Sequence, residues 1–232
     1  MKKLGIVGFT LASNIEYYRL LVRALYDRGI TGSIPEMTLD MIDLSKVQAL
    51  TRAGDANDVI DYLCASITNL AAAGCDFAIL ASNTPHMHFD AIQRKASLPL
   101  ISIARATCEA VRQVNLGRVG LLGTIFTMEH GFYHTPLREA GMEVFIPPYE
   151  DRLFLQHAID KELALEQFKE ETISRVYTII AQLQEKHGIE GIILGCTEFP
   201  LIVQEDSLSI PSFDTMQIHV DAVMEYWLAR QP

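Results

Sequence analysis

The chain has 232 residues, enough for one large domain or two smaller ones, and 49% of them are hydrophobic. A formal net charge of −10 without a basic stripe argues against a nucleic-acid partner. No apolar run approaches the roughly 18 to 20 residues that a membrane helix needs, so no membrane partner is expected. The four cysteines lack metal-binding spacing, which predicts free thiols in a reducing, cytoplasmic compartment; they are Cys64, Cys75, Cys108 and Cys196.

The first half of the chain alternates apolar strand patterns with helical patterns. Strands are predicted at 4–9, 36–43, 77–80 and 99–103, and helices at about 15–29 and 105–113. Between the second and third strands, Asp55 is predicted to cap a long helix whose apolar residues recur every three or four positions.

The pattern then restarts in the second half. Strands are predicted at 118–123, 142–146, 191–195 and 208–212, and helices at about 127–140, 150–162 and 166–187, with a last helix ending near Arg230. Because nearly continuous apolar strands are separated by helices, we expect an α/β protein with parallel sheets covered on both faces.

Two short stretches, "FAILASNTPH" and "GIILGCTEFP", resemble each other. At a constant spacing of 115 residues, Ala81 corresponds to Cys196 and Gly8 to Gly123. This repetition indicates an internal duplication into two similar α/β halves, although chance similarity between strand–helix units is the alternative. Each stretch follows the carboxyl end of a strand, where open α/β sheets bind their ligands.

Four motifs occur in order along the chain: "SNTPH", "LLGTIFTME", "GCTEFP" and "FDTMQIH". Together they resemble the aspartate/glutamate racemase family of cofactor-independent amino-acid racemases. The resemblance implies two pseudo-symmetric Rossmann-like domains with parallel sheets, at 1–104 plus 209–232 and at 105–208, with the active site in the cleft between them. It also implies a homodimer, an amino-acid substrate, no pyridoxal phosphate, no metal, and one cysteine from each domain on opposite faces of the substrate α-carbon.

Cys196 is the predicted catalytic residue. Inverting an α-carbon requires an acid and a base on opposite faces, and a thiol can serve in either role. The turn after the strand at 191–195 is expected to lower the pKa of Cys196 through the N-terminus of a following helix. The alternative is a small buried hydrophobic residue, as many free cysteines are.

The first half departs from the family where Ala81 replaces the second cysteine. Several interpretations stay open. The protein could exchange the proton on one face only, or a neighbour such as Ser82, Thr84 or His86 could serve as the second group. A third interpretation is that the protein catalyses a different reaction. Arylmalonate decarboxylases have a similar fold and keep a single cysteine of the pair, as this sequence does. A maleate isomerase-like enzyme and a catalytically silent amino-acid-binding relative complete the alternatives.

The remaining candidates are substrate-binding residues. Negative charge that develops on a substrate carboxylate must be met by fixed hydrogen-bond donors. Arg52 is either a carboxylate clamp or a surface residue at a helix end, and Glu198 is placed to orient the thiol or its loop. The candidate donors lie in turns after predicted strands: Thr10, Ser82, Asn83, Thr84, Thr124 and Thr197.

Overall fold

The computed structural model describes residues 2–32 and 35–229. Their contacts form two compact units: the described residues up to Ser102 together with those from His219 onward, and Ile103–Ile218. The predicted domain boundaries, after residue 104 and before residue 209, differ from this division mainly at the second junction. The difference arises because the last strand pairs within the second sheet, as described below.

The first unit contains a four-stranded parallel sheet. Its strands, in spatial order β2-β1-β3-β4, are β1 (Leu4–Gly8), β2 (Met37–Met41), β3 (Phe77–Leu80) and β4 (Leu100–Ile101). The helices that lie wholly in it are α1 (Leu11–Asp27), α2 (Leu44–Ala53), α3 (Ala56–Ala72) and α4 (Phe89–Lys95).

The second unit repeats this topology. Its parallel strands, in spatial order β6-β5-β7-β8, are β5 (Arg118–Gly123), β6 (Glu143–Phe145), β7 (Gly191–Gly195) and β8 (Ser212–Asp214). Its helices are α5 (Ile103–Gln113), α6 (Ile125–Glu129), α7 (Gly131–Glu139), α8 (Tyr149–Lys161) and α9 (Glu170–His187). The junction back to the first unit lies within α10 (Thr215–Leu228). The two parallel sheets with flanking helices confirm the predicted α/β fold class.

Several predicted elements require correction. The strand predicted at 208–212 begins at Ser212, because Ser212 is the first residue that pairs with β7. The helix predicted at 127–140 is divided into α6 and α7 by extended backbone at His130 (ψ 148°). The sequence patterns missed α2, which Asp43 caps by accepting hydrogen bonds from the backbone N–H groups of Ser45 and Lys46. The predicted helix end near Arg230 lies outside the described residues.

The apolar faces of these elements bury separate cores in each unit. In the first, α3 packs against the sheet with fully buried Leu63, Ile67 and Leu70. The predicted cap of α3 is present, because the Asp55 side chain accepts a hydrogen bond from the backbone N–H of Asn57 (2.9 Å). These cores hold the carboxyl ends of the strands, and the turns that follow them, at fixed positions in each unit.

Candidate functional site

In each unit, two neighbouring strands end side by side in the turns that carry the predicted site residues. In the first, the backbone N–H of Ala81 donates to the carbonyl of Val7 (3.0 Å), so the turn after β3 lies next to Gly8 at the end of β1. In the second, Gly123 at the end of β5 pairs with Gly195, which directly precedes Cys196. The spacing of 115 residues therefore relates structurally equivalent strand ends.

The turn after β7 contains a thiol bound to a carboxylate. The Cys196 Sγ donates to Glu198 Oε2 at 2.9 Å, and the Thr197 hydroxyl donates to the same oxygen at 2.8 Å. The Cys196 and Glu198 side chains are both buried. A buried carboxylate that accepts two hydrogen bonds fixes the positions of both donors, so Glu198 orients the thiol.

The ionisation of Cys196 differs from the prediction. Burial raises its pKa well above the usual range, and the negative charge of Glu198 and the hydrogen bond to it raise it further. Backbone N–H groups of Thr197 and Glu198 act in the opposite direction but are outweighed. The expected lowering by a helix was wrong, because only a three-residue 3₁₀ helix, Phe199–Leu201, follows the turn. The raised pKa favours a neutral thiol, which donates its hydrogen bond to the Glu198 carboxylate.

The equivalent turn after β3 holds Ala81, Ser82 and Asn83. Ala81 is fully buried, and Asn83 is nearly so. The Ser82 carbonyl accepts a hydrogen bond from Nδ1 of His86 (2.9 Å). His86 belongs to the 3₁₀ helix Thr84–His88, which follows the turn. Thr84 begins this helix and is partly buried.

His86 is a packed, neutral side chain. Its ring stacks on Phe89 with 5.2 Å between the ring centroids, and burial lowers its pKa to about 3. A second buried histidine, His219, has an edge-to-face ring contact with His86. These contacts favour the packing role over proton transfer at His86.

The predicted donors Thr10 and Thr124 are helix caps. Thr10 Oγ1 accepts a hydrogen bond from the Ser13 backbone N–H (3.1 Å) at the start of α1. Thr124 Oγ1 accepts from the Thr127 backbone N–H at the same distance at the start of α6. Both hydroxyls therefore stabilise the helices that follow β1 and β5.

Arg52 lies in the last turn of α2, where its side chain is exposed. A cation at this position interacts favourably with the carboxyl end of the helix. Its contact with a substrate carboxylate stays a prediction.

One buried polar contact was not singled out from the sequence. The Tyr17 hydroxyl and His219 Nδ1 are 2.8 Å apart, and His219 Nε2 lies 3.0 Å from the Ile101 carbonyl oxygen. Tyr17 and His219 are 202 residues apart in the chain, so no local pattern signals the pair.

Two findings concern metals and membranes. Within residues 2–32 and 35–229, no group of three or more His, Cys, Asp or Glu side chains could hold a metal ion. The helices of the same residues include none with the length and apolar character needed to cross a bilayer.

Comparison with known proteins identifies the family. The Asp/Glu/Hydantoin racemase family model matches residues 6–223. The chain belongs to this family, which supports a racemase-type function. It is similar to a glutamate racemase from Persephonella marina, with 28% identity over 62% of this chain and 54% of the relative. The aligned region thus spans about half of that glutamate racemase.

Solved structures extend the similarity over the whole chain. A protein from Yersinia pestis, provisionally described as an Asp/Glu racemase, has 34% identity and a TM-score of 0.89, covering 99% of this chain and 100% of its own. An aspartate racemase homologue from Pyrococcus horikoshii has 32% identity and a TM-score of 0.83, covering 97% and 99%. Glutamate racemase from Francisella tularensis, at 18% identity and a TM-score of 0.72, covers 97% and 80% and shows the shared fold.

Proposed function

We propose that this protein is an amino-acid racemase-type enzyme that works without pyridoxal phosphate, exchanging the α-proton of aspartate, glutamate or a related amino acid through Cys196. The observation that carries the proposal is the buried thiol of Cys196 hydrogen-bonded to the Glu198 carboxylate. Family membership supports the reaction class.

The proposed step begins with transfer of the Cys196 thiol proton to Glu198. The thiolate then removes the α-proton: the C–H bond breaks, its electron pair moves into an enolate of the substrate carboxyl group, and an S–H bond forms. Reprotonation reverses these changes. A buried thiolate is poorly solvated and therefore more basic than one in water, which suits it to a weakly acidic C–H bond.

The substrate-binding roles belong to the same proposal. Hydrogen-bond donors stabilise the enolate as negative charge develops on it, and a guanidinium suits a side-chain carboxylate. The proposed substrate-binding residues are Thr10, Arg52, Ser82, Asn83, Thr84, Thr124 and Thr197.

The proposed exchange takes place on one face of the α-carbon. Ala81, which occupies the position equivalent to Cys196, has a methyl group that cannot carry a proton. Without a second thiol, the proton returns to the face from which it left, so inversion is slow or absent.

Proton exchange in D₂O tests the proposal. Each L- and D-amino acid of a panel is incubated with the protein, and loss of the α-proton signal is followed by NMR while chiral chromatography measures inversion. We expect one enantiomer of aspartate, glutamate or a related amino acid to exchange without inverting, and Cys196→Ser to abolish the exchange. Cys108→Ala is the matched control, because Cys108 is also a buried thiol of the second unit and should be dispensable.

Two results would contradict the proposal. Exchange that survives in Cys196→Ser would remove the thiol from the mechanism. Rapid two-way racemisation by the unmodified protein would show that another group replaces the second cysteine.

A second candidate function rests on the single cysteine. Decarboxylation of a disubstituted malonate, or isomerisation of a dicarboxylate such as maleate, needs one thiol and no counterpart at Ala81. Release of carbon dioxide, or formation of fumarate from maleate, distinguishes these reactions from exchange of the amino-acid α-proton.

A third candidate is a catalytically silent relative that binds amino acids. Such a protein would bind them without α-proton exchange, and Cys196→Ser would leave that binding unchanged.

The proposal includes a cytoplasmic homodimer. All four cysteines are free thiols, as a reducing compartment favours.

Leu11, Ile15 and Tyr18 form an exposed apolar stripe on α1 at helical spacing, and such stripes often mark protein interfaces. Light scattering should give twice the chain mass, and Ile15→Glu should reduce it to one chain if the stripe is the interface.

A further inference from the structure

Asn14 lies on α1 over the end of β1. A methyl group at Gly8 would lie 2.6 Å from Asn14 Nδ2 and 2.9 Å from Asn14 Oδ1, so the amide group rests on this glycine. The side chain is 8% exposed. Its Nδ2 contacts the sulfur of Met41 at 2.9 Å, a weak acceptor, and its Oδ1 has no hydrogen-bond partner among the described residues.

An amide oxygen without a partner inside a protein is unfavourable. In the second unit, an apolar group fills the corresponding space. There, the Thr127 methyl group occupies the space over Gly123, 2.8 Å from where a Cβ would lie. Packing alone therefore does not explain an asparagine at position 14, and its unpaired oxygen can accept a hydrogen bond from a ligand.

The surroundings of Asn14 favour a ligand donor. Gly8 lies beside the turn that holds Ala81, so Asn14 shares the sheet edge with the proposed donors Ser82 and Asn83. The nearby Ser13 hydroxyl is already paired with Thr10. Asn14 Oδ1 therefore adds an unpaired hydrogen-bond acceptor to the edge of the first sheet, where Ser82 and Asn83 are proposed to donate hydrogen bonds to the substrate.

We propose that Asn14 Oδ1 accepts a hydrogen bond from the α-ammonium group of the bound amino acid. This inference rests on the proposed function, because aspartate and glutamate at neutral pH carry one donor group, the ammonium, and otherwise only carboxylate acceptors. Met41, an unbranched and half-exposed side chain at the end of β2, packs against the amide and moves aside when the ligand binds.

Ligand binding without turnover tests this contact. In the Cys196→Ala protein, calorimetry measures the binding of L- and D-aspartate and of succinate, the same diacid without the amino group; glutamate and glutarate form a second set. Asn14→Leu should weaken binding of the preferred amino acid about tenfold to a hundredfold. Binding of the matching diacid should change less than about twofold, because it makes no hydrogen bond to Oδ1.

Two further variants separate the contact from a structural role. Asn14→Asp keeps an acceptor oxygen and should retain amino-acid binding. Ser66→Ala removes the other described buried side-chain atom without a partner, Ser66 Oγ in α3, and should leave both ligands unaffected. Removing either unpaired atom should maintain or raise the melting temperature, so weaker binding in Asn14→Leu would not reflect unfolding.

The outcomes distinguish this inference from the proposed function. If the unmodified protein shows no α-proton exchange but aspartate binding still depends on Asn14, the inference about Asn14 is supported and the proposed reaction is refuted. Three outcomes would overturn the inference about Asn14. They are equal weakening of amino-acid and diacid binding in Asn14→Leu, unchanged amino-acid binding in that variant, and no binding of any panel member.

Discussion

The turns after β3 and β7 have the same fold position and opposite chemistry. Cys196–Glu198 provides a thiol and the carboxylate that accepts its hydrogen bond, 2.9 Å apart. At the spacing of 115 residues, Ala81–Asn83 provides a methyl group and an amide. The first unit therefore lacks the carboxylate as well as the sulfur. In the proposed mechanism the functional element is the pair of thiol and carboxylate, so replacing Ala81 alone would restore only half of it.

The largest expected effect comes from rebuilding that pair in the first unit. If one-sided exchange reflects the missing pair, Ala81→Cys together with Asn83→Glu should raise the rate of inversion about a hundredfold or more, as acid–base groups typically do. Chiral chromatography of the substrate enantiomers over time measures this rate.

The single variants serve as controls for the double variant. Ala81→Cys alone should give a smaller increase, because a buried thiol without a carboxylate has no group to take its proton. Asn83→Glu alone should give none. Equal rates for Ala81→Cys and the double variant would refute the idea that the carboxylate is part of the functional element.

A smaller effect is expected from breaking the pair in the second unit. Glu198→Gln removes the negative charge that, after burial, raises the pKa of Cys196. The thiol pKa should therefore fall while staying above its usual range, and α-proton exchange should slow about tenfold to a hundredfold because the proton acceptor is lost. Alkylation of the Cys196 peptide as a function of pH, followed by mass spectrometry, measures the first effect, and NMR the second.

The two effects of Glu198→Gln have opposite signs, which makes the result specific. A substitution that merely disturbed the turn would slow exchange without lowering the thiol pKa. Faster exchange in Glu198→Gln would show that the carboxylate restrains the thiol instead of accepting its proton.

Much of the fold could be predicted because burial leaves a clear pattern in this sequence. The strands at 77–80, 118–123 and 191–195 have the predicted bounds, since continuous apolar runs indicate strands covered on both faces. The last strand was less predictable, because β8 has three residues and its position depends on pairing with β7. Helix α2 was missed because it buries a single residue, Val47, so its apolar periodicity is weak.

The site was predictable where its residues are neighbours in the chain. Cys196 and Glu198 are two residues apart, and the sequence indicated that the carboxylate could orient the thiol. The direction of the thiol pKa was not predictable, because it depends on burial, which the turn sequence does not report. The Tyr17–His219 contact and the unpaired oxygen of Asn14 arise only when distant segments pack together.

The two units should also differ in their response to acid. Burial lowers the pKa of His219 to about 4 and that of His86 to about 3, below the ordinary 6.5 that each regains on unfolding. Their folded pKa values are depressed, so protonation favours the unfolded chain, and stability falls as the pH drops from about 6.5 towards 3–4. At about pH 5 the loss is of the order of 2 kcal/mol for each imidazole.

Urea unfolding at neutral and mildly acidic pH measures this loss, and hydrogen exchange read by mass spectrometry shows where the chain opens first. We expect earlier opening in peptides of the first unit, which contains both histidines. His219→Gln, whose amide can still bond to Tyr17 and to the Ile101 carbonyl, should reduce the pH dependence by about half. An unchanged pH dependence in that variant would assign acid sensitivity to other groups.

The smallest expected effects concern the helix caps, where the two units are most alike. Thr10 and Thr124 each accept a backbone N–H at 3.1 Å, so each Thr→Ala change should cost about 1 kcal/mol of the free energy of unfolding, and each Thr→Ser change much less. Chemical denaturation measures these losses, while KM reports whether the hydroxyls also bind substrate. A KM increase in the alanine variant that serine does not reverse would point to the lost threonine methyl instead of the hydroxyl. A stability loss at one cap only would show that the two strand–helix turns, although equivalent in geometry, do not contribute equally to their units.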